Sequence, residues 1–76
     1  KNEILLCFYD KTNGISTYEG GRYIDISFKN AQRIEIDFNK AYNPFCFYNA
    51  KYICPIPPKE NFIDEEIIAG EKINLN

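Results

Sequence analysis

Apolar and polar residues alternate in two stretches of this chain, residues 22–28 (RYIDISF) and residues 33–39 (RIEIDFN). Successive side chains of a β-strand point to opposite faces, so this alternation predicts two strands that each bury one face. The apolar members are Ile24, Ile26 and Phe28 in the first stretch and Ile34, Ile36 and Phe38 in the second. A helix would scatter these side chains around its axis, so the pattern predicts neighbouring strands with a shared apolar face.

A third apolar stretch, EILLCFY at residues 3–9, also alternates and is predicted to be a strand. The Asn13-Gly14 pair that follows favours the positive φ angles of a tight turn. Residues 15–18 are therefore predicted to return as the second strand of a hairpin. Four strands in this order predict a mainly β fold, a small antiparallel meander or partial barrel, with no helix longer than two turns.

Regular alternation stops in residues 39–61, which contain all four prolines of the chain. A proline disfavours helix at the residue before it and donates no backbone hydrogen bond. Because this Pro/Tyr loop is rich in aromatic residues, it is predicted to be an ordered cover over one end or face of the sheet. Its asparagines, Asn39, Asn43 and Asn61, are expected to hydrogen-bond to unpaired backbone groups. Two further short strands are predicted after the loop, at residues 62–68 and 71–75.

The composition limits both the size of the core and the classes of partner. A chain of 76 residues makes one domain, and such a domain buries only about 60% of its unfolded surface. Six Tyr and six Phe residues supply large apolar areas in compensation. The net charge is −2 with both signs interspersed, so no nucleic-acid partner is predicted. No apolar run reaches the roughly 20 residues that span a bilayer, so no membrane span is predicted.

Few residues suited to catalysis or metal binding are present. The chain has no histidine, which removes the commonest general base and the commonest neutral metal ligand. Neither of its two serines, Ser16 and Ser27, lies in a nucleophile turn, and no Gly-rich phosphate loop occurs. No metal and no cofactor are therefore predicted. An enzyme built on this chain would have to use Asp37 or Glu60 as acid or base.

The cysteines leave two interpretations open. Seven residues separate Cys46 from Cys54, whereas zinc sites usually have a spacing of two to four. In an oxidising compartment, a Cys46–Cys54 disulfide would contribute about 2.6 kcal/mol to stability, and its Cα atoms would lie within roughly 7 Å of each other. Otherwise both are buried thiols that pack as small apolar side chains. Cys7, inside a predicted strand, is expected to lie in the core.

Arg22 has the same parity as Ile24 and Ile26, so if the strand starts there its side chain is predicted to point toward the buried face or its rim. A buried guanidinium without a partner is unfavourable. One interpretation is that Gly20-Gly21 shifts the register or that the aliphatic stem carries the charge out to water. The other is that Arg22 pairs with a carboxylate at the mouth of a cavity.

Three blocks occur in order over residues 8–72: FYDKTNGISTYEGGRYIDI, IDFNKAYNPFCFYNAKYICPIPPKENFI and IAGEK. They resemble the C-terminal half of a prokaryotic family of unknown function numbered 1684 (DUF1684), with a departure at Phe45, where the family often has a second proline. The resemblance implies that the chain is the C-terminal part of a longer domain, located either in the cytoplasm or outside it. It implies no reaction. The motif residues that are candidates for ligand binding or loop locking are Arg22, Asp37, Asn39, Tyr42, Asn43, Glu60 and Asn61.

These observations favour a single β-rich domain, residues 1–76, that is a non-catalytic module with a shaped loop. The loop is either structural or binds a small molecule. Two alternatives stay open: an enzyme that uses Asp37 or Glu60, and a protein-interaction module that docks a sheet edge or an aromatic patch. Because the chain starts at Lys1 and contains no methionine, a missing N-terminal region or a homo-oligomer is expected to cover the sheet edges.

Overall fold

The computed structural model describes residues 3–27 and 34–73, and within them the fold is mainly β. Strand β1 (Glu3–Asp10) pairs antiparallel with β2 (Arg22–Ser27), with Leu6 opposite Ile24. The short strand β3 (Phe62–Ile63) pairs parallel with the end of β1. The strand order β2-β1-β3 makes a three-stranded open mixed sheet, so the predicted mainly β class is confirmed.

The predicted hairpin is wrong in its pairing, because β1 pairs with β2 and not with residues 15–18. Those residues belong to a wide turn in which the Thr12 carbonyl accepts hydrogen bonds from three successive amides, those of residues 15–17. Gly21 closes the turn with φ +90, and a Cβ atom there would lie 2.6 Å from the Phe8 carbonyl oxygen. The wide turn therefore replaces the return strand.

The predicted strand at residues 33–39 is also wrong where the structure describes it, from residue 34 onward. Residues 34–37 belong to no strand within the described part of the chain, and a 3-10 helix follows at Phe38–Lys40. The Asp37 carboxylate accepts the Asn39 amide and so favours a helix start over a strand. Ile34 and Ile36 are each 46% exposed, although their alternation is that of a strand. Phe28 lies outside the described residues.

The remaining elements are short. Helix α1 (Phe45–Tyr48) is a single turn, and a second 3-10 helix spans Lys59–Asn61, so the helices stay within the predicted limit of two turns. After β3, residues 64–73 contain no strand, whereas the sequence predicted a last strand or a pair of strands at 62–68 and 71–75. Residues 74 and 75 lie outside the described residues. In the part of the chain that the structure describes, no helix has the length and apolar character to cross a membrane.

The core lies on one face of the sheet and is small. Phe8, Ile24, Ile26 and Ala41 form its buried cluster, and Leu6, Phe38 and Ile63 pack around it half-buried. The opposite face carries Tyr23, which is buried, and Cys7, which is half-buried. Tyr42 extends the sheet beside β2 through two backbone hydrogen bonds with Tyr23. The Pro/Tyr loop continues from this point over the face that carries Tyr23.

Candidate functional site

The Pro/Tyr loop and the sheet face beneath it enclose a cavity of about 210 Å³, which we name the aromatic pocket. Its lining is apolar apart from the tyrosine hydroxyls and consists of Leu5, Tyr23, Tyr42, Pro44, Phe45, Tyr52, Ile53, Cys54 and Pro55. The rings of Phe45 and Tyr52 pack against each other with centroids 5.5 Å apart. Both rings nevertheless remain largely exposed, at 70% and 55%. The pocket therefore has a wall of aromatic surface that the described chain does not cover.

Hydrogen bonds fix the floor of the aromatic pocket. The Tyr23 hydroxyl donates to the Pro55 carbonyl and so holds the loop against β2. The Tyr42 hydroxyl donates to the Asp25 carboxylate at 2.8 Å. Burial, together with this hydrogen bond to Asp25, raises the pKa of Tyr42 to about 12. Both tyrosines are thus neutral near pH 7, with their hydroxyls turned to fixed acceptors.

A disulfide between Cys46 and Cys54 closes the segment that carries the exposed rings. Its Cα atoms lie 6.2 Å apart, and the Cys46 amide donates to the Cys54 sulfur. Cys7 is a free thiol on the sheet face beneath the loop, half-buried and not in the core cluster where it was expected. Burial raises the pKa of the Cys7 thiol, which lowers the fraction present as the nucleophilic thiolate.

Arg22 lies at the centre of a buried polar network on the core face of the sheet, beside Phe8. Its side chain is fully buried, donates to the carbonyls of Ala69 at 2.6 Å and Ile67 at 2.8 Å, and lies 3.5 Å from the Asp10 carboxylate. Burial lowers the pKa of Arg22, and the Asp10 charge opposes that shift. The sequence allowed a carboxylate partner for Arg22 at the mouth of a cavity, but the pair is wholly buried. The network holds residues 67–71 onto the sheet.

Threonines complete the network around Asp10. The Thr12 hydroxyl lies 2.9 Å from both Asp10 carboxylate oxygens and 2.9 Å from the Thr17 hydroxyl. The Asp10 carboxylate also accepts the Ile67 amide at 2.7 Å. Asp10, Thr12 and Thr17 were not predicted as partners of Arg22, because no sequence pattern links them across the turn. The only available signal was their presence in the block FYDKTNGISTYEGGRYIDI, which resembles the family.

A second polar cluster joins the Pro/Tyr loop to the C-terminal segment. The Tyr48 hydroxyl donates to the Glu71 carboxylate. The same carboxylate accepts a hydrogen bond from the backbone N–H of Asn43 at 2.8 Å. The bond from its own hydroxyl to Glu71 raises the pKa of Tyr48, whereas the nearby Asn43 side chain lowers it. The Asn43 side chain is buried, and neither atom of its amide group has a hydrogen-bond partner among the described residues. Glu71 was not among the candidate site residues.

The other predicted residues lie at separate places. The Asn39 side chain donates to the Asp37 carboxylate on the surface, and Asp37 lines an open groove of about 480 Å³ together with Asp25, Glu35 and Lys40. Glu60 and Asn61 belong to the 3-10 helix before β3 and line a different groove. Within residues 3–27 and 34–73, Asn61 alone of the three loop asparagines makes the expected bond to the backbone, from its side-chain nitrogen to the Cys7 carbonyl at 2.8 Å.

Comparison with known proteins agrees with this architecture. A family model described as "Protein of unknown function (DUF1684)" matches residues 1–72. Among solved structures, the chain is similar to the solution NMR structure of an uncharacterised protein from Haloarcula marismortui, with 36% sequence identity and a TM-score of 0.80. The similarity covers 97% of this chain but 42% of that one, so the chain spans less than half the length of this relative. No curated protein matches the sequence.

Proposed function

Since this chain belongs to the DUF1684 family, whose description assigns no function, we propose from its geometry that it is a non-catalytic β module that binds a small ligand in the aromatic pocket. The observation that carries the proposal is the apolar pocket between β2 and the Pro/Tyr loop, with two aromatic rings exposed at its edge. Ligand sites are typically concave and apolar with a few fixed polar groups. The ligand class that fits is a small molecule with one flat apolar ring.

Covalent and hydrogen-bonded contacts restrain the aromatic pocket before any ligand binds. The Cys46–Cys54 disulfide, the bond from Tyr23 to Pro55 and the prolines all restrict the loop. A preformed wall lowers the conformational entropy that binding would otherwise cost. Offset or edge-to-face contacts with Phe45 and Tyr52 would each add about 0.5–1.5 kcal/mol. The small volume of about 210 Å³ limits the buried part of the ligand to about one ring.

A structural role for the whole loop is supported less well. That role required the asparagine side chains of the loop to hold the backbone. Among the described residues, however, the Asn39 side chain bonds to an exposed carboxylate, and the buried side-chain amide of Asn43 has no partner. Locking in the structure comes instead from the disulfide, from Tyr23 and from Asn61. The disulfide and Tyr23 hold the wall and floor of the aromatic pocket and leave its aromatic edge open, as a binding site requires.

Titration by NMR tests the proposal. Phenol and indole are added to the chain, and binding is expected to shift the resonances of residues lining the aromatic pocket. Tyr52→Ala should weaken the affinity at least about threefold through loss of one ring contact. Tyr48→Ala is the matched control, because Tyr48 is similarly exposed (59%) but does not line the pocket. Absent shifts, or equal effects of the two variants, would contradict ligand binding there.

An enzyme that uses Asp37 or Glu60 is the alternative activity. The two carboxylates line different grooves, so they would act separately and not as a pair. Incubation with a metabolite library tests this alternative directly. Turnover that disappears in Asp37→Asn or in Glu60→Gln would favour an enzyme, whereas binding without turnover favours the ligand-binding module.

A second candidate function is protein interaction, and a separate observation favours it. Ile53 is 99% exposed, Ile56 80% and Phe45 70%, all in one loop of a chain with a small core. Contiguous exposed apolar surface typically marks a site of contact with another protein segment. We propose that residues 1–76 form one β-rich unit within a longer family domain, and that further chain or a second copy covers this surface and the sheet edges. The net charge of −2 gives no reason to propose a nucleic-acid partner.

A further inference from the structure

The edge of β1 that faces away from β2 has no strand partner along its first half among the residues that the structure describes. β3 pairs with β1 only at Tyr9 and Asp10. In residues 3–27 and 34–73, no strand pairs with residues 3–6 on that side. Strand edges in native proteins are usually protected, because unpaired N–H and C=O groups act as a template for another strand.

The direction of the backbone groups along β1 follows from its neighbours. Tyr23 directs its N–H and C=O to Tyr42 on the far side of β2, so Tyr23 and the opposite Cys7 form a non-hydrogen-bonded pair. The Cys7 carbonyl accordingly points outward, where it accepts the Asn61 side chain. Backbone direction repeats every second residue, so the N–H and C=O groups of Glu3 and Leu5 also point to the open edge.

The side chains at this edge lack the usual protection. Residues 3–6 read EILL, with no proline, no lysine and one charge, at Glu3. Ile4 and Leu5 are each 43% exposed, on opposite faces of the sheet. A strand added beside them would pair the outward groups and cover both side chains at once. The edge therefore has both the hydrogen-bonding groups and the apolar surface for strand addition.

A second copy of the chain is a poor occupant of this edge. Four free residues extend only about 13 Å, and pairing two such edges buries far less than the roughly 1,600 Å² of a stable interface. A strand within the same polypeptide needs no such area, because it is present at a high effective concentration. The Haloarcula marismortui relative has more than half of its chain outside the shared fold, since the match covers 42% of it. Extra chain of this kind is the occupant that fits.

We propose that the open edge of β1 at residues 3–6 is completed by a β-strand from the part of the family domain outside this segment, in the same polypeptide. Under the protein-interaction function proposed above, either further chain or a second copy could cover the sheet edges; here the edge is residues 3–6 of β1 and the cover is further chain. This proposal does not depend on a ligand in the aromatic pocket. Binding of phenol and indole to the aromatic pocket is measured separately, on the unsubstituted chain. An unpaired β1 edge would leave the ligand proposal intact, and a titration without phenol or indole binding would leave the strand proposal intact.

Hydrogen exchange at two adjacent amides tests the proposal. The Leu5 amide points to the open edge, whereas the Leu6 amide points to β2 and serves as the internal control. In the 76-residue chain, Leu5 should exchange fast and Leu6 slowly. In the intact gene product, Leu5 should exchange at least about 100-fold more slowly than in the 76-residue chain. Fast exchange of Leu5 in the intact product, or a product without further chain, would overturn the proposal.

Two substitutions in the intact gene product give an independent readout that does not need the short chain to fold. Leu5→Ala removes the side chain and keeps the N–H group, whereas Leu5→Pro also removes the outward N–H. If a strand pairs there, Leu5→Pro should raise the unfolding equilibrium constant about tenfold more than Leu5→Ala. Equal changes in the unfolding equilibrium constant for Leu5→Pro and Leu5→Ala would overturn the proposal. Hydrogen exchange of the Leu5 amide that slows as the concentration of the 76-residue chain rises would also overturn it, because it would identify a second copy as the partner.

Discussion

Replacement of Arg22 by methionine should remove much of the stability of this chain. Methionine retains an apolar stem beside Phe8 but leaves the buried Asp10 carboxylate without a cation. It also leaves the carbonyls of Ile67 and Ala69 without their side-chain donor. Loss of one partner from a buried pair typically costs about 3–5 kcal/mol. A domain of this length has roughly 4–11 kcal/mol in total, so the variant should be largely destabilised or unfolded.

Urea unfolding followed by circular dichroism measures the loss, with linear extrapolation to water. Lys11→Met is the control, because the Lys11–Asp64 ion pair is exposed and should contribute at most about 1 kcal/mol. Asp10→Asn combined with Arg22→Met should destabilise less than the sum of the single substitutions, since it leaves no unpaired charge. A loss for Arg22→Met no larger than that for Lys11→Met would refute the assignment of Arg22 and Asp10 as the buried pair that holds residues 67–71 onto the sheet.

Three further predictions concern the loop and the turns. Cys46→Ala, which removes the disulfide to Cys54, should lower the free energy of unfolding by about 2.5 kcal/mol, and thermal melting with and without reductant measures the loss. Tyr42 should ionise near pH 12 in an absorbance titration. Because its pKa is raised in the folded state, its contribution to stability should be complete below about pH 10 and should disappear as the pH rises toward 12. Ionisation of Tyr42 near pH 10 would contradict its hydrogen bond to Asp25. Gly21→Ala should destabilise more than Gly14→Ala, by at least about 1 kcal/mol in urea unfolding, because both have positive φ but only Gly21 is crowded by backbone.

Local pattern predicted the two long strands well and their connections poorly. Residues 22–27 form β2 because alternation matched a neighbour, β1, that could pair with it. Residues 34–37 alternate just as regularly, yet no strand pairs with them among the described residues, and the Asp37 carboxylate begins a helical turn. Alternation therefore reports which residues suit a strand, while the pairing that makes a strand depends on where the rest of the chain lies.

The sequence predicted the loop that forms a wall of the candidate site but not which contacts its residues make. The concentration of prolines, rings and cysteines in residues 39–61 predicted an ordered loop, and this segment forms the wall of the aromatic pocket. Glu71 was not foreseen as a partner of Tyr48 because the two are 23 positions apart in the chain. The hydrogen bond from Asn61 to the Cys7 carbonyl could not be predicted for the same reason, because the two residues are 54 positions apart in the chain.

The sequence by itself determined the mainly β class and the stiffness of the Pro/Tyr loop, because each follows from neighbouring residues and their steric and periodic preferences. Only the tertiary structure decided that Arg22 is buried and which carboxylate neutralises it, that β3 joins β1 in parallel, and that no described strand pairs with residues 3–6 on the side away from β2. The pair of Arg22 with Asp10 joins positions 12 residues apart in the sequence, and the pairing of Tyr9 with Phe62 joins positions 53 residues apart. A buried charge takes whichever partner the folded chain brings within reach, and spacing along the sequence does not specify that partner.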